Sequence, residues 1–338
     1  MAEIVGAFSE FALIDRIAAI CGSTANAQVE IGIGDDAAVI TNPPGLSTVL
    51  TTDALIETVH FKRSWIKPDD LGYRAIAVNA SDIAAMGGVP ICALVSLHLP
   101  GTLPVADLDS LFHGMHAAMQ TFGGTVAGGN LARVPELLVV DITMVGHVRS
   151  GHTVRRRGAR PGDRIYVTGT LGGAAAGREL LGRGDSVLIT EFAHLVDRYR
   201  RPTARVAVGR VLAEKGLASA MIDISDGLAG DLSHICEQSR TGAVIHWTDL
   251  PAADSLSACA DALGADPGEW MLSGGEDFEL LFTTAPANGK AIAALEQSLE
   301  VPLTWIGEIV EESRGLTLLG RDNQSRQLTP RGWDHFAQ

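Results

Sequence analysis

Two α/β domains meeting near residue 150 are the architecture that this sequence predicts. Three observations lead there. The chain has 338 residues, enough for two substantial cores. Apolar, β-rich segments alternate with longer helical patterns in both halves. A basic, turn-rich stretch, His152–Asp163, separates one set of segments from the other. The predicted domains are 1–150 and 151–338.

In the first half, Phe11–Ile20 is apolar but interrupted by Asp15 and Arg16, as in an amphipathic helix. Val49–Thr52, Ile91–Leu99 and Leu137–Val148 read as strands. Asp69–Met86 and Val105–Thr121 read as helices, stopped by Gly87-Gly88 and Gly123-Gly124. In the second half, Arg164–Thr168 reads as a strand, and Gly172–Leu181 and Pro202–Lys215 as helices. Ala220–Ile224 reads as a strand running straight into a helix from Asp226. Phe278–Thr283 and Leu303–Val310 supply further strands. No short repeat or low-complexity segment interrupts this alternation.

Bulk properties narrow the function. A 46% hydrophobic and 20% charged composition is that of an ordinary globular protein. The net charge of −14 argues against general affinity for nucleic acid or anionic membrane. An anionic substrate stays compatible, because bound metals reverse the local sign. No run approaches the roughly 18 apolar residues of a membrane span. Cys21, Cys92, Cys236 and Cys259 lie far apart without a Cys-x-x-Cys pair, so the expected location is a reducing cytoplasm.

The chemistry concentrates in short acidic segments. These are Gly34-Asp35-Asp36, Thr51-Thr52-Asp53, Asn79-Ala80-Ser81-Asp82 and Asp223-Ile224-Ser225-Asp226-Gly227. Carboxylates gathered from such distant segments repel one another unless cations sit between them. Hard oxygen ligands suit Mg²⁺, and Mg²⁺ suits a phosphate substrate.

Each segment also has a plainer reading. Gly32–Ala37 superficially matches the dinucleotide fingerprint, but Asp35 and Asp36 stand where a pyrophosphate would sit. As an isolated motif it is a turn with solvated acids. Thr51-Thr52-Asp53 can be a strand cap, and His60 an ordinary structural histidine. Asn79 and Asp82 share a helix face, and Asp82 lies at the unfavourable C-terminal end of the helix dipole, a cost a metal would offset. Ser225 or Asp226 can cap the following helix, which leaves the strand-end Asp223 unexplained. Gly128-Gly129-Asn130 follows a small-residue strand and would let backbone approach phosphate. Arg156, within Arg155–Arg157, can balance nucleotide charge or simply be solvated. Ser273–Asp277 has the same form of a glycine loop beside a strand.

Other phosphoryl-transfer machinery is excluded. The four lysines, Lys62, Lys67, Lys215 and Lys290, are never followed by Ser or Thr, so there is no P-loop. Neither a His-Arg-Asp nor an Asp-Phe-Gly motif occurs. A phosphoryl-transfer enzyme built from this chain must rely on acids and metals.

Taken together, the segments resemble the thiamine-monophosphate kinase family of the aminoimidazole ribonucleotide synthetase superfamily. The resemblance runs through GIGDDAAV (32–39), TTDALIETVHF (51–61), NASDIAAMGGVP (79–90), RGARPGDRIYVTG (157–169), IDISDGL (222–228), SGGEDFELL (273–281) and GWDHF (332–336). It implies the two-domain aminoimidazole ribonucleotide synthetase-like α/β (α+β) fold and a homodimer pairing its N-terminal sheets, with ATP held near that interface. It also implies ATP-dependent phosphorylation of thiamine monophosphate with several Mg²⁺ ions. By the same resemblance Asp36, Thr51, Thr52, Asp53, Asp82, Asp223 and Asp226 are metal-site residues. Gly129, Arg156 and Ser225 are nucleotide contacts, and His60, Glu276 and Trp333 contact thiamine phosphate. Asp36, Asp53, Asp82, Asp223 and Arg156 are the expected catalytic set.

Two departures stand out. The family commonly has Gly-Gly-Asp where this chain has Gly129-Asn130, so Asn130 would ligate metal without charge. The family usually has glycine where this chain has Thr58. Selenophosphate synthetases use a reactive Cys or selenocysteine with a nearby lysine, whereas no lysine precedes Lys62 here. Hydrogenase-maturation relatives end in a reactive cysteine, and this sequence ends in Ala337-Gln338. The competing expectation is a relative that binds Mg-ATP but uses another acceptor or none.

Overall fold

The computed structural model describes residues 3–22, 27–34, 36–322 and 324–329. Asp35, Trp333 and the tail motif 332–336 lie outside them. The chain divides into two compact units, residues 1–83 with 88–150, and residues 84–87 with 151–338.

The first unit begins with α1 (Glu10–Cys21), where Ser9 Oγ accepts from Ala12 N–H and so caps the exposed first turn. A short antiparallel hairpin follows, β1 (Val29–Ile31) with β2 (Val39–Ile40). The main sheet has four strands: β3 (Leu46–Ile56), β4 (Val89–Pro100), β5 (Thr125–Val134) and β6 (Val139–Arg149). Their order is β3-β6-β4-β5, antiparallel except for the β4–β5 pair. Val95, Leu97 and Leu99 alternate with the more open Leu94, Ser96 and His98, so β4 buries one face.

Two long helices complete this unit, α2 (Pro68–Ala85) and α3 (Val105–Phe122). Leu108, Leu111, Phe112, Met115 and Met119 form the buried stripe of α3 at helical spacing. The helices touch backbone to backbone. A Cβ added at Gly114 would lie 1.8 Å from Asp69 O, and one at Gly72 would lie 1.9 Å from Leu111 O. Only glycine allows that approach. The end of α2 behaves differently: Ala84 and Ala85 pack with Val208, Leu212 and Ala213 in a core of the second unit.

The second unit is built on a seven-stranded sheet. Its strands are β7 (Arg164–Thr168), β8 (Ala220–Asp223), β9 (Thr241–His246), β10 (Leu280–Thr284), β11 (Leu303–Glu311), β12 (Leu316–Leu319) and β13 (Ser325–Gln327). The order is β13-β12-β9-β11-β7-β10-β8, antiparallel except for β12–β9. Tyr166 and Phe282 stack at 5.4 Å in its core. The helices are α4 (Gly173–Arg183), α5 (Ser186–Glu191), α6 (Ala193–Arg200), α7 (Val206–Glu214), α8 (Leu228–Ser239), α9 (Leu256–Leu263), α10 (Pro267–Ser273) and α11 (Gly289–Leu299). All four cysteines are buried and unpaired, and burial pushes each thiol up to about 11.

Several sequence expectations shift. The helix expected from Asp226 starts at Leu228, and its N-cap is Gly227, so neither Ser225 nor Asp226 caps it. Gly128-Gly129-Asn130 lies inside β5 rather than after a strand. The strand expected from Phe278 begins at Leu280, because Phe278 has φ of 51°, incompatible with a β ladder.

Thr58 has φ of 73°, a left-handed conformation that a β-branched residue rarely adopts. The surrounding turn imposes it. Thr58 N–H donates to Phe61 O at 2.7 Å, and the neighbouring Glu57 carboxylate accepts from Arg63 and from Leu138 N–H. Local strain of this kind costs on the order of 1–3 kcal/mol. Thr58→Gly therefore stabilises the protein by about 1 kcal/mol, net of the entropy that glycine adds to the unfolded chain. Calorimetry should show the melting temperature rising by roughly 2 °C; an unchanged or lower value would refute the strain.

Candidate active site

In the first unit, the hairpin turn and the sheet enclose a cavity of about 540 Å³. Asp36, Gly129 and Asn130 line it, together with Ile14, Ile17, Leu94 and Phe112 on its apolar side. Its lining carries the carboxylates of Glu10, Asp36 and Asp141 and no Lys, Arg or His among the described residues. Between β1 and β2 no helix begins among the described residues, so the dinucleotide fingerprint finds no helix N-terminus there.

Successive residues of β3 point to opposite faces, which divides the Thr51-Thr52-Asp53 trio. Thr51 Oγ1 donates to Asp82 Oδ2 at 2.5 Å, joining β3 to α2. That bond gives Asp82 a donor at the helix end where the dipole opposes its charge. Thr52, on the other face, shares its single O–H between Ile142 O at 3.0 Å and Asp141 Oδ1 at 3.2 Å. Asp53 is exposed. Asn79, expected to share a polar face with Asp82, is fully buried and donates to Ala75 O.

Gly129 is enforced by packing as well as by any ligand. A Cβ there would lie 1.9 Å from Val95 O. His60 Nδ1 accepts from Ile56 N–H at 3.0 Å, so the neutral ring carries its proton on Nε2.

In the second unit, β8 ends at the buried Asp223 and the chain turns through Ser225, Asp226 and Gly227. A second loop, between α10 and β10, interlocks with this turn. Glu276 N–H donates to Ser225 O at 2.8 Å, Phe278 N–H to Ile224 O at 2.9 Å, and Ile224 N–H to Glu279 O at 2.8 Å. Asp277 and Glu279 are buried, whereas Glu276 pairs with Arg178 at 3.4 Å. Glu276 and Phe278 both have left-handed φ, 64° and 51°, so strain collects in this loop.

The buried pair holds the loop in place. Glu279 accepts two bonds from Arg205 (2.5 and 2.6 Å), one from Arg198 (3.0 Å) and one from Thr168 Oγ1 (2.6 Å). Asp277 accepts from Gly172 N–H and Ala174 N–H at the start of α4. Burial pushes Asp277 up to about 7, against the opposing pull of those N–H groups and Arg198.

Asp231, in the first turn of α8, is a residue that the motif reading misses. Its Oδ2 accepts from Asp226 N–H at 3.2 Å and Gly227 N–H at 3.1 Å and so fixes the turn carrying the candidate acids. Burial, then the charges of Asp223 and Asp226, push it up to about 8. An acid in the first helical turn after Asp-Gly is the signal the sequence offers for it. Arg156 lies exposed in the 152–163 segment, with its carbonyl accepting from Ser239 Oγ at 3.4 Å.

The donor chemistry in both units is carboxylate and hydroxyl oxygen, which fits Mg²⁺ and does not suit soft metals. Among the described residues, no group of three or more His, Cys, Asp or Glu is already gathered as a closed metal cage.

The AIR synthase related protein N-terminal domain family matches residues 34–148, and its C-terminal domain family matches residues 160–317. Thiamine-monophosphate kinase of Escherichia coli K12 is 39% identical over 332 residues, covering 98% of this chain and 99% of the relative. The solved thiamine-monophosphate kinase of Stenotrophomonas maltophilia K279a is 35% identical, covers 95% of this chain and 98% of its own, and has a TM-score of 0.83. AaThiL, solved in complex with AMPPCP and TMP, is 34% identical with 97% coverage of each chain and a TM-score of 0.77.

The raised Asp277 value has a stability consequence. A folded-state pKa of about 7 for a carboxyl whose ordinary value is 3.8 means that the unfolded chain loses its proton first. Stability from this group is therefore present below about pH 4 and lost as pH rises through about 7. Asp277→Asn lacks this titration. Between pH 5 and 8 the wild type should lose on the order of 2 kcal/mol relative to the variant in urea unfolding. Parallel pH profiles for the two proteins would contradict the assignment.

Proposed function

This chain belongs to the thiamine-monophosphate kinase family of AIR synthase related proteins, and from that premise we propose that it transfers the γ-phosphoryl group of ATP to thiamine monophosphate, giving thiamine diphosphate and ADP. The observation that carries this reading is the near full-length likeness to thiamine-monophosphate kinases, among them a solved relative holding AMPPCP and TMP. The acid-rich, lysine-poor character of the candidate residues supports it.

The acceptor's chemistry explains why acids can suffice. A phosphate monoester with a second pKa near 6 is already largely ionised at neutral pH, so no strong general base is needed. The difficulty is bringing two polyanions into line, which positioning and cations address. Mg²⁺, when bound, would neutralise phosphate charge and orient the transferring group. In this reading several Mg²⁺ ions are held, with Asp36, Thr51, Asp53 and Asp82 as the candidate ligands in the first unit and Asp223 and Asp226 as those in the second. Thr52 and Asn130 complete the candidate donors. Gly129, Arg156 and Ser225 hold nucleotide, while His60, Glu276 and Trp333 hold thiamine monophosphate.

The reading includes a homodimer formed through the four-stranded sheets. Support comes from β3, an edge strand of that sheet, and from Leu50 and Leu94, which lie exposed on one of its faces. It also places the enzyme in the cytoplasm, with which four free, buried cysteines agree.

The direct test is formation of thiamine diphosphate from thiamine monophosphate and ATP, with and without Mg²⁺. Metal-dependent product, lost in Asp36→Ala, is the expected result. Binding of Mg-ATP without product would instead identify a relative that uses another acceptor or none. Asp82→Asn should keep the fold while lowering kcat at least ~100-fold, a barrier increase of roughly 2.7 kcal/mol. Turnover at the wild-type rate in that variant would remove Asp82 from the catalytic set.

A further inference from the structure

Asn130 leaves the β5 position uncharged, yet the structure puts a carboxylate on the same sheet face. In the strand register, Asp141 of β6 stands opposite Ser96 of β4, and Ser96 stands opposite Asn130 of β5. Residues opposite one another in adjacent strands point to the same side, so the three form one row across the sheet. All three line the 540 Å³ cavity that Asp36 also lines. Asn130 and Asp141 are separated by two strand spacings, roughly 10 Å at the backbone. Thr52 holds one Asp141 oxygen on the β3 side, and the cavity that Asn130 and Asp141 share is where a cation would have to meet both.

Three further features distinguish Asp141 from a solvated surface acid. Thr52 holds its Oδ1 at 3.2 Å, and Thr143 in turn donates to Thr52 at 3.4 Å, so the carboxylate is oriented by a hydroxyl chain. Nothing among the described residues hydrogen-bonds its Oδ2. Glu10, Asp36 and Asp141 bring negative charge to the cavity, and no basic side chain among the described residues lines it. A nucleotide polyphosphate can enter such a cavity only with cations between it and the acids.

We propose that Asp141 supplies the carboxylate for the divalent-cation position that Asn130 faces, so that the negative charge of the row sits on β6. The inference rests on the functional reading above, in which the cavity takes a magnesium nucleotide. Thr52 orients Asp141, Ser96 lies between the two positions, and Asn130 adds a neutral oxygen. This arrangement retains one charge in the row instead of two, which limits repulsion when the cation leaves.

The test is Mn²⁺ binding to the full-length protein in the presence of AMPPCP, followed by electron paramagnetic resonance. Wild type, Asp141→Asn, Asn130→Asp and the double variant are compared, with circular dichroism confirming that each is folded. Asp141→Asn should weaken Mn²⁺ binding at least tenfold. The double variant, which moves the charge to β5, should recover to within about threefold of wild type. Asn130→Asp alone should bind more tightly than wild type, and it decides the matter if Asp141→Asn does not fold. Unchanged binding in Asp141→Asn, no recovery in the double variant, or unchanged binding in Asn130→Asp overturns the proposal. If wild type binds no Mn²⁺ with the nucleotide analogue, the functional reading fails as well, and the two failures are distinguishable.

Discussion

Negative charge held at close range is the constraint on which the rest of the structure depends. A turn that carries Asp223 and Asp226 within reach of Asp231 would spring open if only its own residues held it. It is kept closed by backbone pairing with the loop at Glu276–Glu279 and by Asp231 accepting from its N–H groups. The loop is itself anchored through Glu279, whose buried charge is matched by Arg198 and Arg205. Removing one partner of such a buried set leaves an uncompensated charge, so these arginines matter to the acids of the turn as well as to Glu279.

The first unit meets the same constraint differently. It spreads its acids over two sheet faces and a helix rather than over one turn. Thr51 and Thr52, adjacent in sequence, serve Asp82 and Asp141 on opposite sides of β3. Period-two alternation makes one dipeptide serve two separate carboxylates. In the second unit the left-handed residues Glu276 and Phe278 do the separating: Asp277 and Glu279 are buried while Glu276 pairs with Arg178. Acids close in sequence thus acquire different environments without any distant rearrangement.

Much of the fold is legible in the sequence because its periodicities are clean. β7 occupies the residues that its apolar run marks, and α2 and α3 end at the double glycines that follow them. The departures are local backbone conformations with no periodic signature. The left-handed Phe278 delays β10. Composition alone cannot reveal that Gly128–Asn130 sits within β5, since small residues read equally as loop or strand. The short helices α5 and α10 carry too few turns to display an apolar stripe, and the stripe of α9 (Leu256, Cys259, Ala260, Leu263) spans only two turns. Among candidate residues, motif reading finds the acids beside glycine. It passes over Asp141 and Asp231, whose significance lies in strand register and burial, neither of which a linear motif encodes. Trp333 falls outside the described residues.

The four buried cysteines carry a practical consequence. Thiols alkylate through their thiolate, and groups pushed up to about 11 are almost wholly protonated at neutral pH. Burial adds a steric barrier to the same reagents. The native chain is therefore expected to react with a maleimide dye far more slowly than a chain with an exposed thiol. A single cysteine placed on an exposed loop would take the label alone, which opens the protein to distance measurements by fluorescence without prior removal of its own thiols.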